Sequence, residues 1–145
     1  MTKDGKEVNH ECVYLGRHDD DNAAQPLKQR PAAPSPALAQ TVALSILGGY
    51  RGSYRPGIHF SLRMSERDFD VFDMEYAIRN GRCVGPGEYS DEYKDHKFVF
   101  RCDIDGVEFD AVFALSIERD LIKSPLMILI TGCWKTETGK RRSRY

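Results

Sequence analysis

Lys97-Phe98-Val99-Phe100-Arg101-Cys102-Asp103-Ile104-Asp105-Gly106-Val107-Glu108-Phe109-Asp110-Ala111-Val112-Phe113-Ala114-Leu115-Ser116-Ile117 is the stretch that decides the fold. Phe98, Phe100, Cys102 and Ile104 alternate with other residues, and a strand sends successive side chains to opposite faces. Asp105-Gly106 then supplies the strongest short-range hairpin signal, because a tight two-residue turn needs positive φ at its central positions. Val107, Phe109, Ala111, Phe113, Leu115 and Ile117 carry the alternation back along a return strand. Arg119 to Pro125 reverses the chain again. Leu126-Met127-Ile128-Leu129-Ile130 is apolar on both faces, which marks a central strand covered on its two sides.

Upstream of the hairpin, Cys83 to Tyr89 reads as a weak strand interrupted by Gly85-Pro86-Gly87, and such a segment belongs at a sheet edge. Before it, Asp70 caps a helix reaching Asn80, with Val71, Met74, Tyr76, Ala77 and Ile78 as its apolar positions and Asn80-Gly81 as its stop. Ile58, Phe60, Leu62 and Met64 fit a strand as well as a helix, so periodicity leaves that stretch open; a short helix over His59 to Arg67 is the reading adopted. Ser35 or Pro36 opens a further helix from Ala37 to about Leu47, ended by Gly48-Gly49. Tyr50 to Gly57 reads as a linker, whose arginines and tyrosines suit either base stacking or a solvated loop. Helices first and a meander after make an α+β domain: two short helices on an antiparallel sheet of three to four strands, preceded by one extra helix.

The domain map is a disordered Pro-rich tail over residues 1–36, a single α+β domain over 37–136, and a basic tail over 137–145. Within the domain, 37–49 is the extra helix and 58–136 the core. The tail assignment rests on Asp19-Asp20-Asp21 and on Pro26, Pro31, Pro34 and Pro36 among Ala, Gln and Ser, a composition that buries too little apolar surface to offset chain entropy. Lys plus Arg number 21 against 22 Asp plus Glu, so polyanion binding must come from local clusters. Cysteines at 12, 83, 102 and 133 include no C-x-x-C pair and suit unpaired thiols in a reducing cytoplasm, with a Cys102–Cys133 disulfide as the minor alternative. The charged N-terminus lacks a secretory pattern, and Ala37 to Leu47 is too short to span a bilayer. A cytoplasmic location is expected.

For chemistry, His59, Cys83, His96, Cys102, Asp103 and Asp105 show no paired zinc spacing and no calcium-loop spacing, so no metal is expected. Phosphate-cradling and dinucleotide glycine motifs are absent, and no cofactor is expected. The remaining handle is His59, Arg63, Arg67, four residues apart and so on one helical face. Metal-independent RNA cleavage needs a proton acceptor, a proton donor and cations on the phosphorane. His59 is suited to move protons, and Arg63 and Arg67 to hold phosphate oxygens. Arg101, Lys97, Thr131 and Lys135 are candidate supporters, and Lys140-Arg141-Arg142-Ser143-Arg144 is either a solubilising tail or a phosphate grip. The competing reading is a solvated face of arginines paired with Glu66 or Asp70.

His59-Phe60-Ser61-Leu62-Arg63-Met64-Ser65-Glu66-Arg67-Asp68-Phe69, then Met74 to Gly81, then strands up to Thr131, resembles a small bacterial family of unknown function with the pattern His-x-x-x-Arg-Met-x-x-Arg. That family is similar to the RelE-like and BrnT-like ribonuclease toxins, two helices on an antiparallel sheet. The resemblance covers residues 58–136. It implies His59, Arg63, Arg67 and Thr131 as the polar positions that matter, and Met64 as core. Cys133-Trp134 departs from it, since a tyrosine is common after the threonine. The implied activity is a metal-independent endoribonuclease on RNA, with an antitoxin as partner. The alternative is a non-catalytic module on the same scaffold that binds a toxin, antitoxin or immunity-type protein, favoured by the acids at Asp68, Asp70, Asp73 and Glu75.

Overall fold

A computed structural model describes residues 31–138 and Lys140. Most of the expected Pro-rich tail lies outside the described residues, as do Arg141 and Arg142. Within them, helix α1 (Pro36–Leu47) opens on Ser35, whose hydroxyl accepts from the Leu38 amide at 3.1 Å, and closes at Gly48. Strand β1 (Ser53–Pro56) follows, then α2 (Phe60–Arg67) and α3 (Val71–Asn80). Asp70 accepts from the Asp73 amide at 3.0 Å while Asp73 accepts from the Asp70 amide at 3.1 Å, a reciprocal cap that satisfies two amides α3 would otherwise leave unpaired.

The rest of the chain is sheet: β2 (Arg82–Cys83), β3 (Glu88–Ser90), β4 (Asp95–Ile104), β5 (Val107–Ser116) and β6 (Leu126–Trp134). The strand order is β1-β6-β5-β4-β2, with β3 also on β4. Asp105 and Gly106 turn the β4–β5 hairpin with φ of 55° and 85°, the double positive φ that a two-residue turn requires. Gly85-Pro86-Gly87 breaks the weak strand into β2 and β3, both antiparallel to β4 at its edge.

The sheet is larger than expected, with six strands, and it is mixed because β1 runs parallel to β6, pairing Ser53 with Leu126 through Pro56 with Leu129. Tyr50–Gly57 is therefore not wholly a loop. All four β1 residues are exposed and Pro56 has no amide to donate, so the segment lacks the apolar alternation that betrays a strand.

All three helices contribute apolar residues to one cluster with one face of the sheet: Ala39, Val42 and Ile46 of α1, Phe60 of α2, and Met74, Ala77 and Ile78 of α3 meet Phe98, Phe100, Phe113, Met127 and Leu129. Met64 packs against the same cluster. Val112, Ala114 and Ile130, with Val99 and Ile128, form a second cluster drawn from strands alone. The two clusters account for the doubly apolar Leu126–Ile130. Cys83 and Cys102 are free thiols, so no Cys102–Cys133 bond forms. Cys133 is disulfide-bonded, a departure from the expectation of unpaired thiols. No helix among the described residues is long and apolar enough to cross a membrane.

Candidate functional site

The α2 helix is short and amphipathic, and it lies along β6. His59 does not belong to its helical turns: it is the N-cap residue, at φ −108° and ψ 9°, and its imidazole makes no capping bond. Arg63 and Arg67 are both on the helix, yet their guanidiniums part. Arg63 is buried, and its Nη1 donates to Glu66 Oε1 at 2.8 Å. Arg67 Nη1 donates to Thr131 Oγ1 at 3.2 Å, and the Thr131 hydroxyl in turn donates to the Gly132 carbonyl at 3.0 Å.

The single cationic face expected from four-residue spacing is thus divided. A carboxylate three residues along the helix is always within reach of Arg63, whereas an external anion must be recruited. A buried arginine lays its stem against apolar neighbours and sends its head to the nearest acceptor. One expected convergence does occur: Arg67 of α2 and Thr131 of β6 meet across 64 residues of chain. A bulge between Val112 and Phe113 shifts the β5–β6 register, so that Val112 pairs with Thr131 while Phe113 pairs with Leu129. Trp134 fixes the same junction, donating from Nε1 to the Asp68 carbonyl at 3.0 Å just past the end of α2.

The supporting cations sit elsewhere. Lys97 and Arg101 alternate with Phe98 and Phe100 along β4, so they project from the sheet face opposite the helices. Arg101 grips Asp110 with two prongs, Nε at 2.8 Å and Nη2 at 3.1 Å, and Lys135 Nζ stands 3.6 Å from the same carboxylate. Asp110 is fully buried. Lys97, also buried, pairs with Glu88 at 3.1 Å. Each of these cations, expected to support phosphate binding, carries a carboxylate partner instead. The signal was available for one of them, since counting outward from the Asp105-Gly106 turn places Arg101 opposite Asp110.

No group of three or more His, Cys, Asp or Glu side chains suited to a metal ion occurs among the described residues. Burial raises the Cys83 and Cys102 thiols above their ordinary range, with Asp103 adding to the effect at Cys102.

The outer side of the helical layer shows a different feature. Ile58 is 81% exposed and Phe72 78% exposed, with Leu62 and Tyr76 about half exposed. Tyr76, one of the apolar positions expected to face inward on α3, is half exposed, and Phe72 is exposed beside it. With Met74, Ala77 and Ile78 turned inward, positions 72 and 76 fall together on the solvent side, one helical turn apart.

Compared with protein-family models, curated proteins and solved structures, the chain matches none.

Proposed function

We propose that this chain is a non-catalytic protein-binding module whose contact surface is the outer side of the helical layer. The observation that supports it is Phe72, a large apolar side chain 78% exposed, with Tyr76 beside it on the next turn. Scattered single apolar residues on a surface are ordinary, but aromatic residues adjoining one another are the usual anchors of an interface. The ion pairs favour the same reading, because Arg63, Arg101, Lys97 and Lys135 each have a carboxylate at hand and would have to exchange it for a phosphate.

A photo-crosslinking amino acid placed at Phe72 tests this in cells. A discrete protein adduct at that position, with none from the same group at the exposed Lys123, is the expected result. Equal labelling at both positions, or none at either, overturns the reading.

A second reading rests on the Arg67–Thr131 bond. It makes the chain a metal-independent endoribonuclease of the RelE-like type, with His59 moving the proton and Arg67 holding phosphate. It requires RNA cleavage by purified protein that is lost in His59→Ala and in Arg67→Ala. Equal cleavage by all three proteins removes it.

A further inference from the structure

The sheet face opposite the helices is drier than strands alone can make it. Asp110, Val112 and Ala114 point to that side along β5, since they alternate with Phe109, Ala111 and Phe113 of the helical cluster. All three are 0% exposed, and so is Cys133 of β6, which pairs with Asp110. An antiparallel sheet with helices on one face ordinarily leaves the other to water. Among the described residues, only strand residues form the apolar cluster on this side: Val99, Val112, Ala114, Ile128 and Ile130. Neighbours in one layer screen each other's flanks and leave their outward ends to water, so a valine without exposure has something lying on top of it.

Cys133 identifies the chain that supplies this cover. It is disulfide-bonded, while Cys83 and Cys102 are free thiols. Of the four cysteines in the sequence, only Cys12 is left to be its partner. The chain can reach. Pro31 sits at the β3–β4 edge of the sheet, its carbonyl oxygen 3.1 Å from His96 Nε2. His96 and Cys133 are separated by the stretch of β4 from His96 to Arg101 and by two strand spacings, about 17 Å by about 10 Å. Residues 12–31 extend to about 60 Å, enough to round the edge and lie across the face. Cys12 also opens the apolar run Cys12-Val13-Tyr14-Leu15, set between Glu11 and Gly16-Arg17.

We infer that Cys12 is bonded to Cys133 and that Cys12-Val13-Tyr14-Leu15 is the cover of the outer sheet face, a strap held by the thiol–disulfide state of the protein. Forming the bond joins the two Sγ atoms and releases two protons and two electrons, which oxidised glutathione takes up as two thiols. Dithiothreitol, closing to its own disulfide, reverses the step and frees the strap from β6. The apolar face around Val112 is then open to water, a second surface apart from the exposed aromatic residues of α3.

The test uses the full-length protein equilibrated with oxidised glutathione. Free thiols are alkylated in denaturant, and the protein is digested without reduction and read by mass spectrometry. A linked pair of peptides containing Cys12 and Cys133, with Cys83 and Cys102 alkylated, is the expected result, in a protein that runs as a monomer on non-reducing electrophoresis. Alkylation of Cys12 and Cys133, or a bond from either to Cys83 or Cys102, overturns the inference. So does a dimer that reduction dissociates, since the bond then joins two copies.

The cover is read by a dye that fluoresces on apolar surface. Dye fluorescence should be low in the oxidised protein and rise several-fold on reduction. It should rise as far in oxidised Val13→Asp with Tyr14→Asp, which keeps the bond and spoils the docking. Cys83→Ser with Cys102→Ser should respond to dithiothreitol as the parent does. Circular dichroism and a cooperative melt should persist in the reduced protein, because the helical-side core does not contain the bond. Dye binding unchanged by reduction or by the aspartate variant overturns the strap, and so does a reduced protein that melts without cooperativity, since the bond then holds the whole fold.

Discussion

Asp110 is fully buried between Arg101 and Lys135, and Arg101 holds it with two hydrogen bonds of 2.8 and 3.1 Å. A buried carboxylate with two cations is a structural joint that ties β4, β5 and the end of β6 together. Removing one member of such a group leaves the others desolvated without full compensation. Asp110→Asn should therefore lower unfolding free energy by about 3 kcal/mol, read as a shift of the urea midpoint at unchanged slope. Asp110→Leu combined with Arg101→Met should recover most of the loss. A midpoint that stays put in the single variant would assign the cluster no role in stability.

Gly132 is needed for space. A Cβ there would overlap the rings of Phe109 and Phe69, which pack against β6 from the helical side. Gly132→Ala should cost about 1–3 kcal/mol through overpacking, seen as a lower melting temperature with the secondary structure retained.

The reciprocal cap at Asp70 and Asp73 satisfies two amides at the start of α3. Asp70→Ala should cost about 1 kcal/mol, and hydrogen exchange should quicken first at Asp73 and Met74. Uniform quickening across the whole domain would instead mean that α3 and the sheet open as one unit.

The hairpin, the α3 cap and the inward positions of α3 were legible because each depends on local chemistry: positive φ at Asp105-Gly106, a carboxylate at an N-cap, apolar residues at helical spacing. β1 was hidden because its partner, β6, lies some seventy residues away and an exposed edge strand needs no apolar alternation. At the site, spacing put Arg63 and Arg67 on one helix, while Thr131 was singled out by the family resemblance and not by spacing. It could not say that Glu66 would take Arg63, because the choice between a local carboxylate and an external anion is settled by burial. Asp110 opposite Arg101 follows from counting back from the Asp105-Gly106 turn, whereas Glu88 opposite Lys97 requires the register of β3, which no tight turn announces.

Asp120 supplies a pH-dependent element in the β5–β6 connection. Its carboxylate accepts hydrogen bonds from the Lys123 and Ile122 amides, at 2.9 and 2.8 Å, and these hold it below the ordinary carboxylate range. A lowered folded value means that the turn is favoured above the unfolded carboxyl's titration and loses that support as pH falls through the folded one. The Ile122 and Lys123 amide resonances should therefore move with the Asp120 carboxyl in an acid titration. Asp120→Ala should remove that response and accelerate amide exchange at both positions. Amides that remain protected in the variant would show that Arg51, whose Nη1 donates to the Ile122 carbonyl at 2.7 Å, holds the loop by itself.

Trp134 joins the end of β6 to the end of α2, beside the bond between Arg67 and Thr131. Its ring is buried against Phe109, with centroids 4.6 Å apart, and its indole N–H reaches the Asp68 carbonyl at 3.0 Å. Asp68 itself ends α2 in the left-handed conformation, φ 56°, which an aspartate adopts less readily than glycine. Trp134→Phe keeps an aromatic ring on Phe109 but leaves that carbonyl without the indole donor in partly buried surroundings. The expected loss is about 2 kcal/mol, within the range for a buried polar group stripped of its partner. Because the junction also positions Arg67 against Thr131, the variant should show increased amide exchange at Asp68 and Phe69 before any change in β4 or β5. Exchange that rises first in the sheet would mean that Trp134 acts through core volume and not through its bond to α2.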